Sequence, residues 1–205
     1  MKVRGTPASG KTVLALLLAT YISEKNPNAH VIWIDGWPAA VKQSGSYQSY
    51  LQQKGWVLDQ ETVFIFDEAQ ATYTDNALWN FFKSMHLFAL CRAIIFCSYG
   101  SPSLHIDVGE TPGMLTPIVV MDAQRVTLRH IDHEDYLPPV GLLLTQSEFT
   151  DLVKVHYSSP EYCFDSSFFD SVFRITNGHV GAIYDFIRIV TADGVSPLVL
   201  KRVMV

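Results

Sequence analysis

The sequence of 205 residues predicts an α/β fold in three layers, with helices on both faces of a mostly parallel five-stranded sheet and a small helical lid after it. One observation is that short, nearly unbroken apolar runs recur between segments of helical composition, which is typical of parallel strands joined by crossover helices. The other is a glycine-containing stretch, 5–10, that separates a short apolar segment from a run of strong helix formers. Together they indicate alternating strands and helices over the first two thirds of the chain.

Five strands are predicted in that part of the chain, each from its β-branched and aromatic residues. The clearest is 62–66, which ends directly before two carboxylates. The strands are expected at 1–4, 31–35, 62–66, 92–100 and 125–131. The helices between them are expected at 13–22, in part of 40–55 and at 77–90. The first helix is apolar nearly all round, as expected for a helix packed under a sheet.

The last third of the chain is predicted to be helical. Thr145 and Glu148 have the spacing of a capping box, which predicts that a helix begins directly after Thr145. Two more helices are expected at 167–176 and 179–191. Each is followed by a pair of residues of a type that ends helices. The pairs are Asn177-Gly178 and Asp193-Gly194. We therefore expect two domains, a core at 1–135 and a helical lid at 136–205.

The composition excludes several classes of partner. The net charge is −5, and no segment rich in lysine and arginine provides local attraction to nucleic acid. No segment approaches the roughly 18 consecutive apolar residues of a membrane-spanning helix. The three cysteines form no C-x-x-C pair, which fits a reducing compartment. We expect an intracellular protein without a direct nucleic-acid or membrane partner.

The stretch between the first strand and the first helix has the full P-loop pattern, two glycines with four residues between them, followed by lysine and threonine. The pattern consists of Gly5, Thr6, Pro7, Ala8, Ser9, Gly10, Lys11 and Thr12. Glycine lets successive main-chain N–H groups point inward at phosphate oxygens, and a helix N-terminus favours the same anion. Lys11 would bind the β- and γ-phosphates, and Thr12 would bind Mg²⁺. The alternative, a turn that happens to end in lysine, does not account for the helix that follows.

Two carboxylates follow the third strand. Asp67 stands where P-loop proteins place the aspartate that completes the magnesium site. Glu68 leaves the strand one residue later and can orient or deprotonate the attacking water. The alternative is a pair of acids at an exposed strand end. Combined with the P-loop, the pair predicts a P-loop NTPase with a catalytic glutamate, which uses Mg²⁺ and ATP or GTP.

Three further sites are weaker candidates. Ser98, with Tyr99 as second choice, ends the fourth strand and can sense the γ-phosphate, or its hydroxyl merely ends the strand. His179, after Gly178, begins a helix that can face the nucleotide, or the glycine simply ends the preceding helix. The segment 130–135 has two histidines among acids and could ligate zinc or a nuclease magnesium ion. No second cluster completes a metal shell there.

Four segments together resemble the P-loop NTPase domain of Crinkler-type effector proteins of oomycetes and fungi, which is similar to the AAA+/STAND group of ATPases. The segments are VRGTPASGKTVLALLLA, FIFDEAQATYTDNALWNFFKS, IIFCSYGSPS and FRITNGHVGAIYDFI. The resemblance implies an intracellular NTPase module of secreted effectors that act inside a host cell. In full-length relatives it follows a ubiquitin-like targeting domain and often accompanies a nuclease-like domain.

The resemblance also implies roles for matching residues. Nucleotide and Mg²⁺ are bound by Gly5, Gly10, Lys11 and Thr12, while Asp67 completes the metal site, Glu68 activates water, Ser98 is the sensor, and Gly178-His179 lies on the lid side. The strand at 92–100 would lie between the P-loop strand and the Asp67 strand. The sequence departs from related lids at Val180, where proline is common. The candidates for an arginine finger are Arg174, Arg188 and the Arg92 of a neighbouring subunit.

These features predict a Mg²⁺-dependent ATPase or GTPase. Its partners would be a nucleoside triphosphate and, in addition, a second copy of the chain or a host protein. A different class remains open, a nucleotide-gated binding module with little hydrolysis, whose occupied state exposes a surface for a partner. A small-molecule kinase is a third option, although no residue set in the sequence suggests an acceptor pocket with its own base.

Overall fold

A computed structural model describes residues 1–37, 39–85, 90–98, 124–129, 141–157 and 164–192. These residues belong to two compact units. The first unit contains residues 1–7 and the described residues from 11 to 127, and the second contains residues 8–10 and the described residues from 128 onward. Within the described ranges, no helix has the length and apolar character needed to cross a membrane. The expected boundary between residues 135 and 136 stays a prediction.

The first unit is built on a five-stranded sheet in which every neighbouring pair is parallel. Its strands are β1 (Lys2–Gly5), β2 (His30–Ile34), β3 (Thr62–Phe66), β4 (Cys91–Ser98) and β5 (Arg125–Val126), in the order β2-β3-β4-β1-β5. The predicted α/β fold with a mostly parallel sheet is therefore confirmed. Strand β4 lies between β1 and β3, and its last residue, Ser98, pairs with Gly5. The carboxyl ends of β1, β3 and β4 consequently meet at one edge of the sheet.

Four helices and one 3₁₀ turn connect these strands within the described residues. They are α1 (Lys11–Lys25), α2 (Ala39–Ser44), α3 (Tyr47–Gln53), the 3₁₀ turn Ala69–Thr72, and α4 (Asn76–Ser84). Helix α1 begins two residues earlier than its apolar run suggested, so that Lys11 occupies its first turn. The helix expected at 77–90 is observed over Asn76–Ser84, and residues 86–89 lie outside the described residues. The strand expected at 125–131 was too long, since β5 comprises Arg125–Val126 and the described residues 127–129 do not continue it, while 130–131 lie outside the described residues.

An aromatic cluster fixes β3 against the helices on one face of the sheet. All five residues of β3 are buried, and Phe64 and Phe66 point to the same side because side chains alternate along a strand. The ring of Phe66 packs edge-on against Phe82 of α4, and that of Phe64 packs against Phe81 and Trp56. Such pairs add stabilisation beyond their buried area. The end of β3, from which Asp67 follows, is therefore held by a rigid core.

Helix α1 packs against the sheet with one face and exposes apolar residues on the other. Its Ala15 is fully buried, whereas Val13, Leu16 and Leu17 are each more than half exposed. The helix contacts β1, β2 and β4. Because a straight helix can direct only one stripe of its surface at a sheet, the remaining apolar residues of α1 face outward. The expected packing of this helix against the sheet is confirmed, and it covers one face of the helix.

The described residues of the second unit form the helices α5 (Gln146–His156), α6 (Ser166–Thr176) and α7 (Val180–Ala192). The predicted capping box is present, since Thr145 Oγ1 accepts from Glu148 N at 3.2 Å and Glu148 Oε2 accepts from Thr145 N at 2.7 Å. Asn177 ends α6 in the left-handed conformation, followed by Gly178 at a φ of 78°. A Cβ at Gly178 would lie 2.2 Å from Leu144 O. The pair 193–194 lies outside the described residues.

Candidate nucleotide-binding site

The loop between β1 and α1 turns at two residues with positive φ, Ala8 at 58° and Gly10 at 83°. The first glycine of the motif, Gly5, instead belongs to β1 and pairs with Ser98 as an ordinary strand residue. The left-handed conformation costs an L-residue about 1–2 kcal/mol, so Ala8 holds strain that glycine would not. The sequence pattern thus located the loop correctly, while one of its two left-handed residues is an alanine.

The tip of the loop groups with the second unit. Ala8 O accepts a hydrogen bond from Gly181 N at 3.0 Å. A Cβ at Gly181 would lie 2.5 Å from the Cβ of Ala8, closer than two carbon atoms can approach. The absence of a side chain at residue 181 therefore permits this contact.

Lys11 is the buried cation of the site. Its side chain is 5% exposed, and its Nζ donates to Thr6 O at 2.7 Å across the loop. Burial lowers the pKa of Lys11, whereas the nearby carboxylates of Glu68 and Asp67 raise it. An ammonium group that is partly desolvated interacts more strongly with an anion than one in bulk water. The site thus presents a buried positive charge beside two carboxylates.

Thr12 and Asp67 meet although 55 residues separate them. Thr12 Oγ1 donates to Asp67 Oδ2 at 2.8 Å. Asp67 follows β3 directly, and its main-chain N donates to Ile34 O at 3.0 Å, which continues the ladder between β2 and β3. Its other carboxylate oxygen accepts from Glu68 N at 3.0 Å. The carboxylate is therefore held at the edge of the sheet beside the first turn of α1.

The donor set at this point fits magnesium. Thr12 supplies a hydroxyl oxygen and Asp67 a carboxylate oxygen, and Mg²⁺ in nucleotide sites is bound by one or two such ligands together with substrate phosphates and water. In the described part of the chain no group of three or more His, Cys, Asp or Glu side chains forms an alternative metal site. The histidine-rich segment 130–135 and Tyr99 lie outside the described residues.

Glu68, Gln70 and Ser98 form a second group of contacts at the same edge. Glu68 has left-handed backbone angles, with φ at 49°, and its side chain is exposed. Ser98 Oγ donates to its carboxylate oxygens at 3.3 and 3.5 Å. Gln70 Nε2 donates to Glu68 Oε2, and Gln70 Oε1 accepts from Ser98 N at 3.0 Å. The two candidate residues are thus brought together by a glutamine that the sequence analysis missed.

The candidates His179, Arg188, Arg92 and Arg174 make other contacts or lie in other elements than the residues described above. His179 precedes α7, and its Nδ1 accepts from Ala182 N at 3.1 Å, which caps that helix. Arg188 pairs with Asp185 at 3.5 Å on α7. Arg92 lies at the start of β4, the opposite end from Ser98, where it is 3.7 Å from Glu61. Arg174 is in the last turn of α6. The roles expected for these residues stay predictions.

Comparisons with known proteins support the fold. No family model matches the sequence, and no curated protein is significantly similar to it. Among solved structures, it is similar to AMPPCP-bound DnaA from Aquifex aeolicus (13% identity, TM-score 0.56) and to the replication initiator DnaA bound to AMPPCP and single-stranded DNA (12% identity, TM-score 0.56). Each alignment covers 98% of this chain and 58% of the DnaA chain. A match to C. elegans PCH-2 has 17% identity and a TM-score of 0.38, over 50% of this chain and 30% of that one.

The likeness to the two DnaA structures, together with the strand order, shows an α/β fold with a parallel five-stranded sheet. The chain spans somewhat more than half the length of the DnaA chains that it matches.

Proposed function

We propose that this chain is a magnesium-dependent nucleoside triphosphatase of the catalytic-glutamate class, with ATP as the preferred substrate. The observation that carries the proposal is the 2.8 Å contact between Thr12 of the P-loop and Asp67 at the end of β3. It brings the two motifs together beside the buried Lys11 ammonium. A P-loop lysine, a hydroxyl and a strand-end carboxylate are the parts that nucleotide-hydrolysing proteins of this class use.

In the proposed reaction, the residues of the site would have the following roles. Lys11 would exchange its bond to Thr6 O for the β- and γ-phosphates, and Thr12 and Asp67 would hold Mg²⁺. The ion, when bound with the nucleotide, neutralises charge that develops on the phosphates. Glu68 would accept a proton from the attacking water, since an exposed carboxylate at the sheet edge can reach solvent. Fixed charges that are already in place supply most of the rate enhancement in such a site.

The choice of ATP is supported by the two DnaA structures, both of which contain the adenine nucleotide analogue AMPPCP. The resemblance of four segments to Crinkler-type effectors supports a setting inside a host cell, as a module of a secreted effector. In that setting the site would act with a second copy of the chain or a host protein as partner. His179 would contact the nucleotide from the helical lid, residues 136–205.

A titration of the purified protein with ATP and with GTP, each with and without Mg²⁺, tests the proposal when phosphate release is measured in parallel. We expect tighter binding of ATP, dependence on Mg²⁺, and steady release of phosphate. Failure of both nucleotides to bind in the presence of Mg²⁺ would contradict the proposed site. Binding of ATP without phosphate release would contradict the enzyme and favour a nucleotide-gated binding module.

A further inference from the structure

Gln70 is a buried polar residue at the edge of the sheet that the proposed reaction does not yet use. It lies in the 3₁₀ turn Ala69–Thr72, and its side chain is 7% exposed. Both ends of its amide are bonded, since Nε2 donates to the Glu68 carboxylate and Oε1 accepts from Ser98 N at 3.0 Å. A buried amide with both ends satisfied has one orientation, because reversing it would leave two unfavourable pairs.

The turn that carries Gln70 is itself held by buried contacts. Thr72 Oγ1 donates to Ala69 O at 2.7 Å, and the indole of Trp79 in α4 donates to Thr72 O at 2.9 Å. Ala69, Thr72 and Trp79 are each almost fully buried. The main chain at residue 70 is therefore fixed by the core, and the amide is held in place before any ligand binds.

Glu68, in contrast, has few restraints of its own. It is exposed, it lies outside β3, and its backbone is in the left-handed region. An exposed glutamate samples several rotamers, and a general base is effective only when its carboxylate is aimed at the proton that it accepts. Lys11 and the neighbouring Asp67 are charged groups close to this carboxylate, and Ser98 Oγ donates to it at 3.3 and 3.5 Å. Gln70 supplies a contact from a buried side chain.

We infer that Gln70 is a positioning residue, which aims the Glu68 carboxylate and ties it to the end of β4 through the main chain of Ser98. The inference rests on the proposed function, because it concerns the orientation of the catalytic glutamate. It requires a side chain that donates on one side and accepts on the other. An amide meets this requirement, whereas a carboxylate of the same shape does not.

Steady-state hydrolysis by two variants tests the inference. Gln70→Leu removes both hydrogen bonds, and Gln70→Glu keeps the acceptor for Ser98 N but places a second carboxylate beside Glu68. We expect kcat to fall about 10- to 100-fold in both variants, the size of effect caused by a small misplacement of a reacting group. KM and the affinity for Mg²⁺-nucleotide should remain at wild-type values, because the phosphate contacts of Lys11 and Thr12 are intact. Gln52→Leu, the same change at an exposed position of α3, is the matched control and should leave kcat unchanged.

A double mutant separates positioning from a purely structural role. If Gln70 acts through Glu68, Gln70→Leu should cause no further loss of turnover when it is added to Glu68→Gln. An equal loss in both backgrounds would overturn the inference. The melting temperature identifies a variant that fails to fold, and in that case the isosteric Gln70→Glu decides the outcome.

The two proposals fail in different ways. Absence of phosphate release from the wild-type protein would overturn the proposed function and, with it, the positioning role. Wild-type turnover together with unchanged kcat in the Gln70 variants would overturn the positioning role alone.

Discussion

The candidate site has two halves that differ in how they are held. The phosphate half, made of Thr6, Lys11, Thr12 and Asp67, is joined by two direct hydrogen bonds of 2.7 and 2.8 Å. The glutamate half, made of Glu68, Gln70 and Ser98, holds an exposed carboxylate by longer bonds from Ser98 and by a buried amide. In the proposed site, the phosphate half would therefore be arranged for binding before a ligand arrives, whereas the glutamate half would depend on Gln70 and Ser98 for its alignment.

Because the two halves are held differently, we expect some substitutions to change the affinity for nucleotide and others to change kcat. In the proposed site, removing a group from the phosphate half would remove an interaction with the nucleotide or its Mg²⁺ in the ground state as well as in the transition state. Removing a group from the glutamate half affects the attacking water, which matters in the transition state. Three substitutions test this division, ordered here from the largest expected effect.

Glu68→Gln should lower kcat about 10²- to 10⁴-fold, the range of general acid–base catalysis, because the amide cannot accept the proton. The affinity for Mg²⁺-ATP should stay at the wild-type value, which a binding titration measures beside phosphate release. Glu24→Gln, an exposed position on α1, is the control. Equal turnover in wild type and Glu68→Gln would remove the glutamate half from the reaction.

Lys11→Ala should weaken nucleotide binding about 100-fold or more, since it removes a buried charge that pairs with phosphate. Titration with Mg²⁺-ATP measures the change, and the melting temperature without nucleotide shows whether the fold is kept. Lys25→Ala, in the last turn of the same helix, should bind as the wild type does. Unchanged affinity in Lys11→Ala would show that the loop is not the binding site.

Ser98→Ala should have the smallest effect, about a two- to fivefold fall in kcat, which corresponds to the loss of one weak hydrogen bond. Its hydroxyl lies 3.3 and 3.5 Å from the Glu68 oxygens, while the main-chain N that Gln70 uses is unaffected. Kinetics at saturating ATP give the value. A fall of about 100-fold would instead support the sensor role predicted for Ser98, in which the hydroxyl contacts the nucleotide directly.

Local patterns predicted most of the elements. The capping box at Thr145 and Glu148 and the left-handed turn at Asn177-Gly178 occur where the sequence placed them, because both depend on residues within a few positions. Strand β3 was the clearest for the same reason. Helix α1 packs against the sheet as expected, but its composition did not show that Val13, Leu16 and Leu17 would remain more than half exposed.

The sequence by itself was enough to identify the P-loop pattern and the Asp67-Glu68 pair, because each consists of neighbouring residues whose types and spacing are typical of nucleotide-binding sites. Only the tertiary structure decided that Thr12 meets Asp67 and that Gln70 joins Glu68 to Ser98. These contacts depend on β4 lying between β1 and β3, and strand order follows from the packing of residues far apart in the chain. The role proposed for Gln70 could not be predicted from its position two residues after Glu68, because it depends on the two hydrogen-bond partners of its buried amide.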